Sequence, residues 1–472
     1  MTKNRVKDRI MKKINIIALL LLACGLSMSA QESSSRKVWT LEDCINHAIK
    51  ENLNIKQLQV QKENAEIDVN TAKMSRLPNL NASTGQNWNF QRAQIADRAS
   101  VNQTLSNSNL SISSSVPIFT GFQINNQIAK SKLDLAAAIQ QLERAKENMA
   151  LNVASLYLQV LFNKELLKVS EEQLALTTQQ VQRTKILVEV GTVPESQLFD
   201  IEAQVAKDEV SVIQTKNSLT LSLLDLTQSL ELEMTSFFDI ETPIIENVVE
   251  DYLSSMLPPN VIYANAIGIK PIIKEQELRL ESSKKSLKIA EAGYYPKLNL
   301  NLSYGNSYSY NHTGEGETTT SSDGLSYTWR NQPFSEQFKN NARESIGLSL
   351  SIPIFNRFQV RNQVRSARLN IQNQQYVLDN TRKNLYKEIQ TAYTDATSAQ
   401  EKYKASVRSV AASEKSFKYA QERYEVGKSS VFEFNEAKTR LVQSQSEQIQ
   451  AKYDYIFRTK ILDFYNGVEI KL

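Results

Sequence analysis

Residues that could carry out chemistry are few in this 472-residue chain, and they stand far apart. The two histidines, His47 and His312, are separated by more than half of the sequence. The sequence contains no cluster with zinc-ligand spacing, no nucleophile elbow and no phosphate-binding loop. It therefore predicts no catalytic residue, no metal site and no cofactor.

One pair of carboxylates has a spacing that brings its members together. Glu433 and Glu436 are three residues apart in a segment with helical periodicity, so they share one helix face. Ser430 stands three residues before Glu433, as in a capping box, which is a structural explanation for that glutamate. Either residue could instead contribute to a site that concentrates carboxylates.

These residues belong to a chain that repeats itself. Ser-Val-Pro-Ile-Phe begins at Ser115 and Ser-Ile-Pro-Ile-Phe begins at Ser351, while Val-Gly pairs end at Gly191 and Gly427. The offset is 236 residues at both ends, and no gap is needed between them. A long internal repeat predicts two copies of one structural unit.

Composition limits the possible classes of protein. The chain has only 13 Gly and 10 Pro, so its elements should be long. Its mean hydropathy is −0.40, which is unlike a helical membrane protein. The net charge of +4 comes from a surplus of five positive charges in residues 1–13, so nucleic-acid binding is not indicated.

The N-terminus resembles an export signal, which we assign to residues 1–30. A basic start precedes an apolar stretch, residues 14–26, that is too short to span a bilayer. Cleavage after Ala30 is favoured over lipidation of Cys24, because Leu22 fits a lipoprotein box poorly. Both alternatives place the mature protein outside the cytoplasm, where Cys44 gives no disulfide framework.

The longest predicted helices lie in corresponding places of the two copies. Residues 122–190 and 359–426 contain no internal Pro or Gly and carry 3/4-spaced apolar residues. About 65 helical residues form a rod of roughly 100 Å, far longer than a globular domain. Further helices are predicted over residues 39–76, with a possible break at 52–54, and over 194–232, 272–293 and 430–466.

Four segments alternate apolar and polar residues with a period of two, which predicts strands of about ten residues with one apolar face. The clearest apolar positions, predicted to face lipid, are Leu298, Leu300, Leu302, Leu348 and Leu350. Between the strands, residues 86–109 and 306–343 are predicted to be polar loops. The interval from Pro296 to Pro353, which contains the second loop, is 57 residues long, against 39 from Pro78 to Pro117 in the first copy.

Each copy is therefore predicted to run helix, strand, loop, strand, long helix, turn, helix. The copies are assigned to residues 31–232 and 261–472, with residues 233–260 as a connector. Four strands cannot close a barrel, and open edges cannot lie in lipid. Either several chains pool their strands across a membrane, or one small sheet packs on a helical base.

The order of elements and the doubled Pro-Ile-Phe and Val-Gly motifs resemble the TolC family of outer-membrane efflux channels, over residues 39–467. The resemblance implies a homotrimer with a mainly α fold, in which long helical hairpins and four strands per chain form one tunnel. It implies a twelve-stranded barrel in outer-membrane lipid and a long periplasmic helical domain. A periplasmic adaptor and an inner-membrane pump would be its partners, as in tripartite efflux or type I secretion.

The resemblance also assigns roles to particular residues. The turns at Gly191, Thr192, Gly427 and Lys428 would be periplasmic tips that engage the adaptor. Glu433, Glu436 and Tyr424 match positions that line the closed mouth in the family. Ser429 stands where the family has a basic residue that holds the mouth shut, and Lys428 is a weak substitute.

Two other classes remain open at this point. A periplasmic coiled-coil adaptor would need Gly-rich β-domains around a single hairpin, whereas this chain doubles its rods. A structural envelope protein built on coiled coils would not need alternating Leu/Asn strands. The sequence therefore favours a passive exit duct for drugs, small molecules or polypeptides.

Overall fold

The computed structural model describes residues 38–94, 100–232, 238–243, 257–313, 318–320, 326–328, 330–468 and 470. The predicted signal peptide, Cys24 and much of the predicted connector lie outside these ranges. The first copy contains β1 (Val38–Trp39), α1 (Leu41–Glu51), α2 (Leu53–Met74), β2 (Asn81–Gln94), β3 (Ser100–Phe119), α3 (Gln123–Glu189) and α4 (Ser196–Ser229). The rest contains β4 (Asp239–Ile240), α5 (Pro259–Ile269), α6 (Pro271–Glu291), β5 (Lys297–Asn311), β6 (Thr318–Thr320), β7 (Ser326–Thr328), α7 (Phe334–Asn340), β8 (Arg343–Ser351), α8 (Gln359–Glu425) and α9 (Val431–Asn466).

The two long rods are confirmed, and each has 67 residues. Both begin at a phenylalanine in the left-handed conformation, Phe122 (φ 63°) and Phe358 (φ 61°). Each of these rings meets the phenylalanine three residues earlier edge to face, at 5.5 Å between centroids. The same strand-to-helix corner is thus built twice, 236 residues apart.

The break predicted in the first helix is also confirmed. Asn52 ends α1 and begins α2, and its side-chain oxygen accepts hydrogen bonds from the amides of Asn54 (2.9 Å) and Ile55 (3.4 Å). Thr40 and Asp43 form a capping box at the start of α1. Local hydrogen-bonding side chains therefore determine these helix ends.

The principal sheet is antiparallel, with strand order β2-β3-β5-β8. The prediction of a loop over residues 86–109 is wrong, because β2 and β3 pair from Asn81 with Ser113 to Gln94 with Ser100. The prediction of a loop from residue 306 is wrong in part, because β5 continues to Asn311. Apolar residues are too few in these outer halves to produce a clear alternation in the sequence.

The helices nearest the sheet follow the same lateral order, with α2 on α3, α3 on α6, and α6 on α8. At the other end, α3 with α4 and α8 with α9 form two hairpins. The main core lies between these ends, where α1, α3, α4 and α9 meet around fully buried Val153, Leu161 and Leu226. Here β1 pairs in parallel with β4, and the Tyr157 hydroxyl donates to the Glu241 carbonyl (2.8 Å).

Candidate functional site

The sheet has one apolar and one polar face in its inner half. Cross-strand partners on the apolar face are Leu298 with Leu350, Leu300 with Leu348, and Leu302 with Ile346. Leu348 is 67 % exposed and Ile346 is 80 % exposed. These residues therefore form a continuous apolar surface that the single chain leaves uncovered.

The opposite face is a ladder of hydroxyl and amide groups. The Ser115 hydroxyl donates to Asn301 Oδ1 (2.9 Å), and Asn301 Nδ2 donates to the Ser349 hydroxyl (3.0 Å). The hydroxyls of Ser303 and Ser345 lie 2.7 Å apart, within hydrogen-bonding distance. One face of the sheet is thus suited to water and the other to an apolar medium.

The lateral edges of the chain are open. Within the described residues, neither β2 nor β8 has a partner strand on its outer edge. The α2 helix exposes an apolar residue at every seventh position, and α8 exposes two with the same spacing. These residues are Leu53, Val60, Ile67 and Met74 on α2, and Leu369 and Tyr376 on α8.

The predicted tips are two matching turns. At the first tip, the amides of Gly191 and Thr192 donate to the carbonyls of Val188 and Leu187, each at 2.9 Å. At the second tip, the amides of Gly427 and Lys428 donate to the carbonyls of Tyr424 and Arg423, at 3.0 and 2.8 Å. Both glycines have positive φ. This is a Schellman motif, which needs a residue tolerant of the left-handed conformation after the helix.

Charged side chains join the two tips. Arg183 on α3 lies 3.4 Å from Glu425 on α8. Tyr424 does not project freely, because its ring stacks on Phe434 with centroids 5.0 Å apart. Tyr424, which matches Val188 at the first tip, therefore packs α8 against α9.

Each predicted mouth carboxylate has a basic partner. Glu433 accepts a hydrogen bond from the Ser429 hydroxyl (2.6 Å) and lies 3.7 Å from Arg423. Glu436 accepts a hydrogen bond from Arg440 at 2.9 Å. Both arginines escaped the sequence analysis, although Arg440 stands four residues after Glu436, the usual spacing of a helical ion pair.

Ser430 is confirmed as the N-cap of α9, but only one of the two hydrogen bonds of a capping box is present. Its hydroxyl accepts a hydrogen bond from the Glu433 amide (3.2 Å). The Glu433 carboxylate turns towards Ser429 and Arg423 instead of completing a capping box. Its carboxylate is thus engaged in a charge cluster at the tip.

A buried ion pair connects the two hairpins between the tips and the main core. Lys438 on α9 is 2 % exposed and donates to Asp208 on α4 (2.9 Å) and to the Thr177 hydroxyl on α3. Gln204 donates to the other Asp208 oxygen (2.8 Å). Burial lowers the pKa of Lys438, while the Asp208 carboxylate partly opposes this shift. Sequence reasoning missed the pair, although Lys438 occupies an apolar-face position seven residues after Val431.

A second ion pair lies near the main core. Lys270, which precedes α6, is 3.4 Å from Glu147 on α3 and 3.3 Å from the centroid of the Phe464 ring. Burial raises the pKa of Glu147 and lowers that of Lys270. The aromatic ring compensates in part for the loss of water around the ammonium group.

Both histidines make local contacts with neighbouring side chains. His312 Nε2 hydrogen-bonds to the Ser106 hydroxyl (3.1 Å), and His47 packs edge to face on Trp39. Across the described ranges, no group of three or more metal-binding side chains is found. In the same part of the chain, no helix combines the length and apolarity needed to cross a membrane.

Comparison with known proteins agrees with this geometry. The model of the family described as outer membrane efflux protein matches residues 44–231 and 262–463. TolC of Escherichia coli (strain K12) is 21 % identical over 440 residues, covering 93 % of this chain and 84 % of its own. The outer membrane efflux protein BepC of Brucella suis is 19 % identical, covering 93 % and 87 %.

Solved structures show the same fold. CusC superposes with a TM-score of 0.74 at 16 % identity, covering 91 % of this chain and 92 % of its own. The open-state MtrE channel of Neisseria gonorrhoeae gives a TM-score of 0.68 at 14 % identity, covering 90 % and 88 %. Since the family model spans most of the sequence, the chain belongs to the outer membrane efflux protein family, a family of transport ducts, and is an outer-membrane exit duct with a periplasmic helical domain.

Proposed function

We propose that three copies of this chain close one twelve-stranded barrel, continued by a helical tunnel through which substrates pass without chemical change. The observation that carries the proposal is the pair of open edges. An unpaired strand edge is costly in lipid, where no water can satisfy its amides and carbonyls. Pairing β8 of one copy with β2 of the next would satisfy both edges around a ring.

The helices support the same arrangement. The α2 stripe of Leu53, Val60, Ile67 and Met74 and the α8 residues Leu369 and Tyr376 lie on the two outer helices of the layer. Joining copies edge to edge would bring these stripes together in a heptad-like contact. The leucines of β5 and β8 would then face lipid, and the Ser/Asn ladder would face a wet lumen.

A charge inserted into the stripe tests this assembly. Val60→Asp with Ile67→Asp should abolish heat-resistant trimers in the outer-membrane fraction, because both carboxylates would be buried between copies. Gln61→Asp is the matched control, since it adds a carboxylate about a third of a turn away from the stripe. Trimers that survive the double change, or a periplasmic monomer in the wild type, would refute the assembly.

The closed mouth is proposed to lie at the α8–α9 tip, with Glu433, Glu436 and Tyr424 around it. Arg423 and Arg440 offset the carboxylates, so we expect only weak cation preference in planar-bilayer conductance. Arg423→Ala with Arg440→Ala should strengthen cation preference, because the carboxylates of three copies would remain uncompensated. Glu433→Ala with Glu436→Ala should shift the preference towards anions, and an unchanged ratio in both variants would remove these residues from the mouth.

The partners are proposed to dock at the turns around Gly191, Thr192, Gly427 and Lys428. Exposed valines precede both glycines, Val190 and Val426, and provide apolar contact points. An adaptor would hold these tips and link them to an inner-membrane pump, which supplies the energy. Cross-linking at the tips followed by co-purification should recover both proteins, and recovery of neither would contradict the docking site.

A further inference from the structure

The loop between β5 and β8 carries a short helix, α7, that the first copy lacks in its described residues. This is the region in which the second copy is longer by 18 residues between its two prolines. Pairing between β5 and β8 stops at Gly305 with Arg343, and α7 follows the edge of β5 beyond that point.

Amide side chains fix this segment to the strand edge in place of a neighbouring strand. Gln337 receives a hydrogen bond from the Ser309 amide and donates to the Ser309 carbonyl, both at 2.9 Å. Asn331 makes the same pair of bonds to Asn311, again at 2.9 Å. Asn341 donates to the Ser307 carbonyl at 2.7 Å. The helix therefore has a defined position relative to the sheet.

This anchored helix presents two phenylalanines outward. Phe334 and Phe338 are four residues apart on one face, and they are 58 % and 39 % exposed. Phe334 meets the Tyr308 ring at 5.3 Å between centroids. Tyr308 is an even number of residues from Leu302, so it lies on the same face of β5 as the exposed leucines.

The height of this cluster matches a membrane interface. Tyr308 lies six residues beyond Leu302, about 20 Å along the strand and about 15 Å along the normal of a tilted barrel. In the first copy, Trp88 and Phe90 of β2 are exposed on the corresponding face. Aromatic rings above an apolar band are typical of the headgroup region, where one side of the ring is apolar and the other is wet.

We propose that α7 is a lipid-contacting element, whose Phe334 and Phe338 insert into the headgroup region of the outer leaflet. The outer apolar face of the sheet runs directly into this cluster, which makes lipid the occupant of the exposed rings. The inference rests on the proposed function, because it requires that the leucine face contacts lipid. The amide contacts to β5 hold the rings at a constant depth.

Site-directed nitroxide labels test the proposal. Single cysteines replace Phe334, Phe338, Glu336 and Leu348 in turn, and Cys44 does not compete for the label because it is fully buried. Labelled trimers in phospholipid nanodiscs are compared for relaxation by oxygen, which concentrates in lipid, and by a water-soluble nickel chelate. We expect labels at 334 and 338 to favour oxygen over nickel, and the label at 336, on the opposite helix face, to favour nickel.

The label at Leu348 separates the two possible failures. Lipid contact at 348 with water contact at 334 and 338 overturns the role of α7 and leaves the barrel intact. Water contact at 348 overturns the lipid face itself. Should the labelled phenylalanine variants lose the trimer, Phe338→Trp keeps an aromatic ring, and quenching of its fluorescence by brominated lipid is expected; no added quenching relative to the unsubstituted protein refutes the proposal.

Discussion

The middle and the tip-proximal half of the helical region are held together differently. In the middle, α1, α3, α4 and α9 bury large apolar side chains such as Leu161 and Leu226. Towards the tips, the buried positions of α3 are polar: Ser170, Thr177 and Thr184 at intervals of seven residues, and Gln180 between the last two. The α8 helix buries Ser406 and Ser413 in the same region, with Val410 between them.

This difference shows where the helices can repack at low cost. Small hydroxyl side chains satisfy themselves within their own helix, as Ser170 does by donating to the Leu166 carbonyl (3.0 Å). They allow close contact between helices but contribute little apolar burial. In the tip half, the buried Lys438–Asp208 pair is a specific charged connection between the hairpins, whereas the middle is held mainly by buried apolar side chains.

The largest expected effect comes from leaving the buried charge of the tip half unpaired. Asp208→Ala should destabilise the helical region by about 3–5 kcal/mol, because the Lys438 ammonium loses its partner away from water. Thermal unfolding followed by far-UV circular dichroism measures the change. Asp208→Leu with Lys438→Met is the control and should be close to neutral; equal losses in both variants would contradict a charge effect.

Removing volume from the middle should have the next largest effect. Leu161→Ala should cost about 2–5 kcal/mol, because it leaves a cavity in a fully packed core. Ser170→Ala, at a buried position of the same helix, should change stability by less than about 1 kcal/mol. The same melting experiment compares the two, and similar losses would remove the distinction between the regions.

The smallest effect concerns the charged pair beside the core. Burial raises the pKa of Glu147 above its usual 4.5. At pH values between 4.5 and the raised pKa, the folded state therefore holds a proton that the unfolded state has lost. The free energy of unfolding should therefore fall as pH rises from about 4.5 through the raised pKa. Chemical denaturation at a series of pH values measures this slope. Glu147→Gln should flatten it, and an unchanged slope would assign the effect to another group.

Much of the candidate site followed from local patterns. The two long helices, the glycine turns and the leucine face could be predicted because each depends on residues close in sequence. The outer halves of β2, β3 and β5 could not, because polar residues outnumber the few apolar and aromatic residues there. In the part of α3 near the tip, the apolar residues Leu174 and Val181 are only half-buried, whereas the polar residues Thr177 and Thr184 are the most buried.

The amino-acid sequence by itself determined the doubled architecture, the length of the rods and the two-faced strands, since period and chain breakers act over a few residues. Only the tertiary structure decided which charges meet between helices: Arg423 with Glu433, and Lys438 with Asp208. These partners depend on the rotation and register of one helix against another. Periodicity identifies a helix face but does not specify which residue of a neighbouring helix lies opposite it.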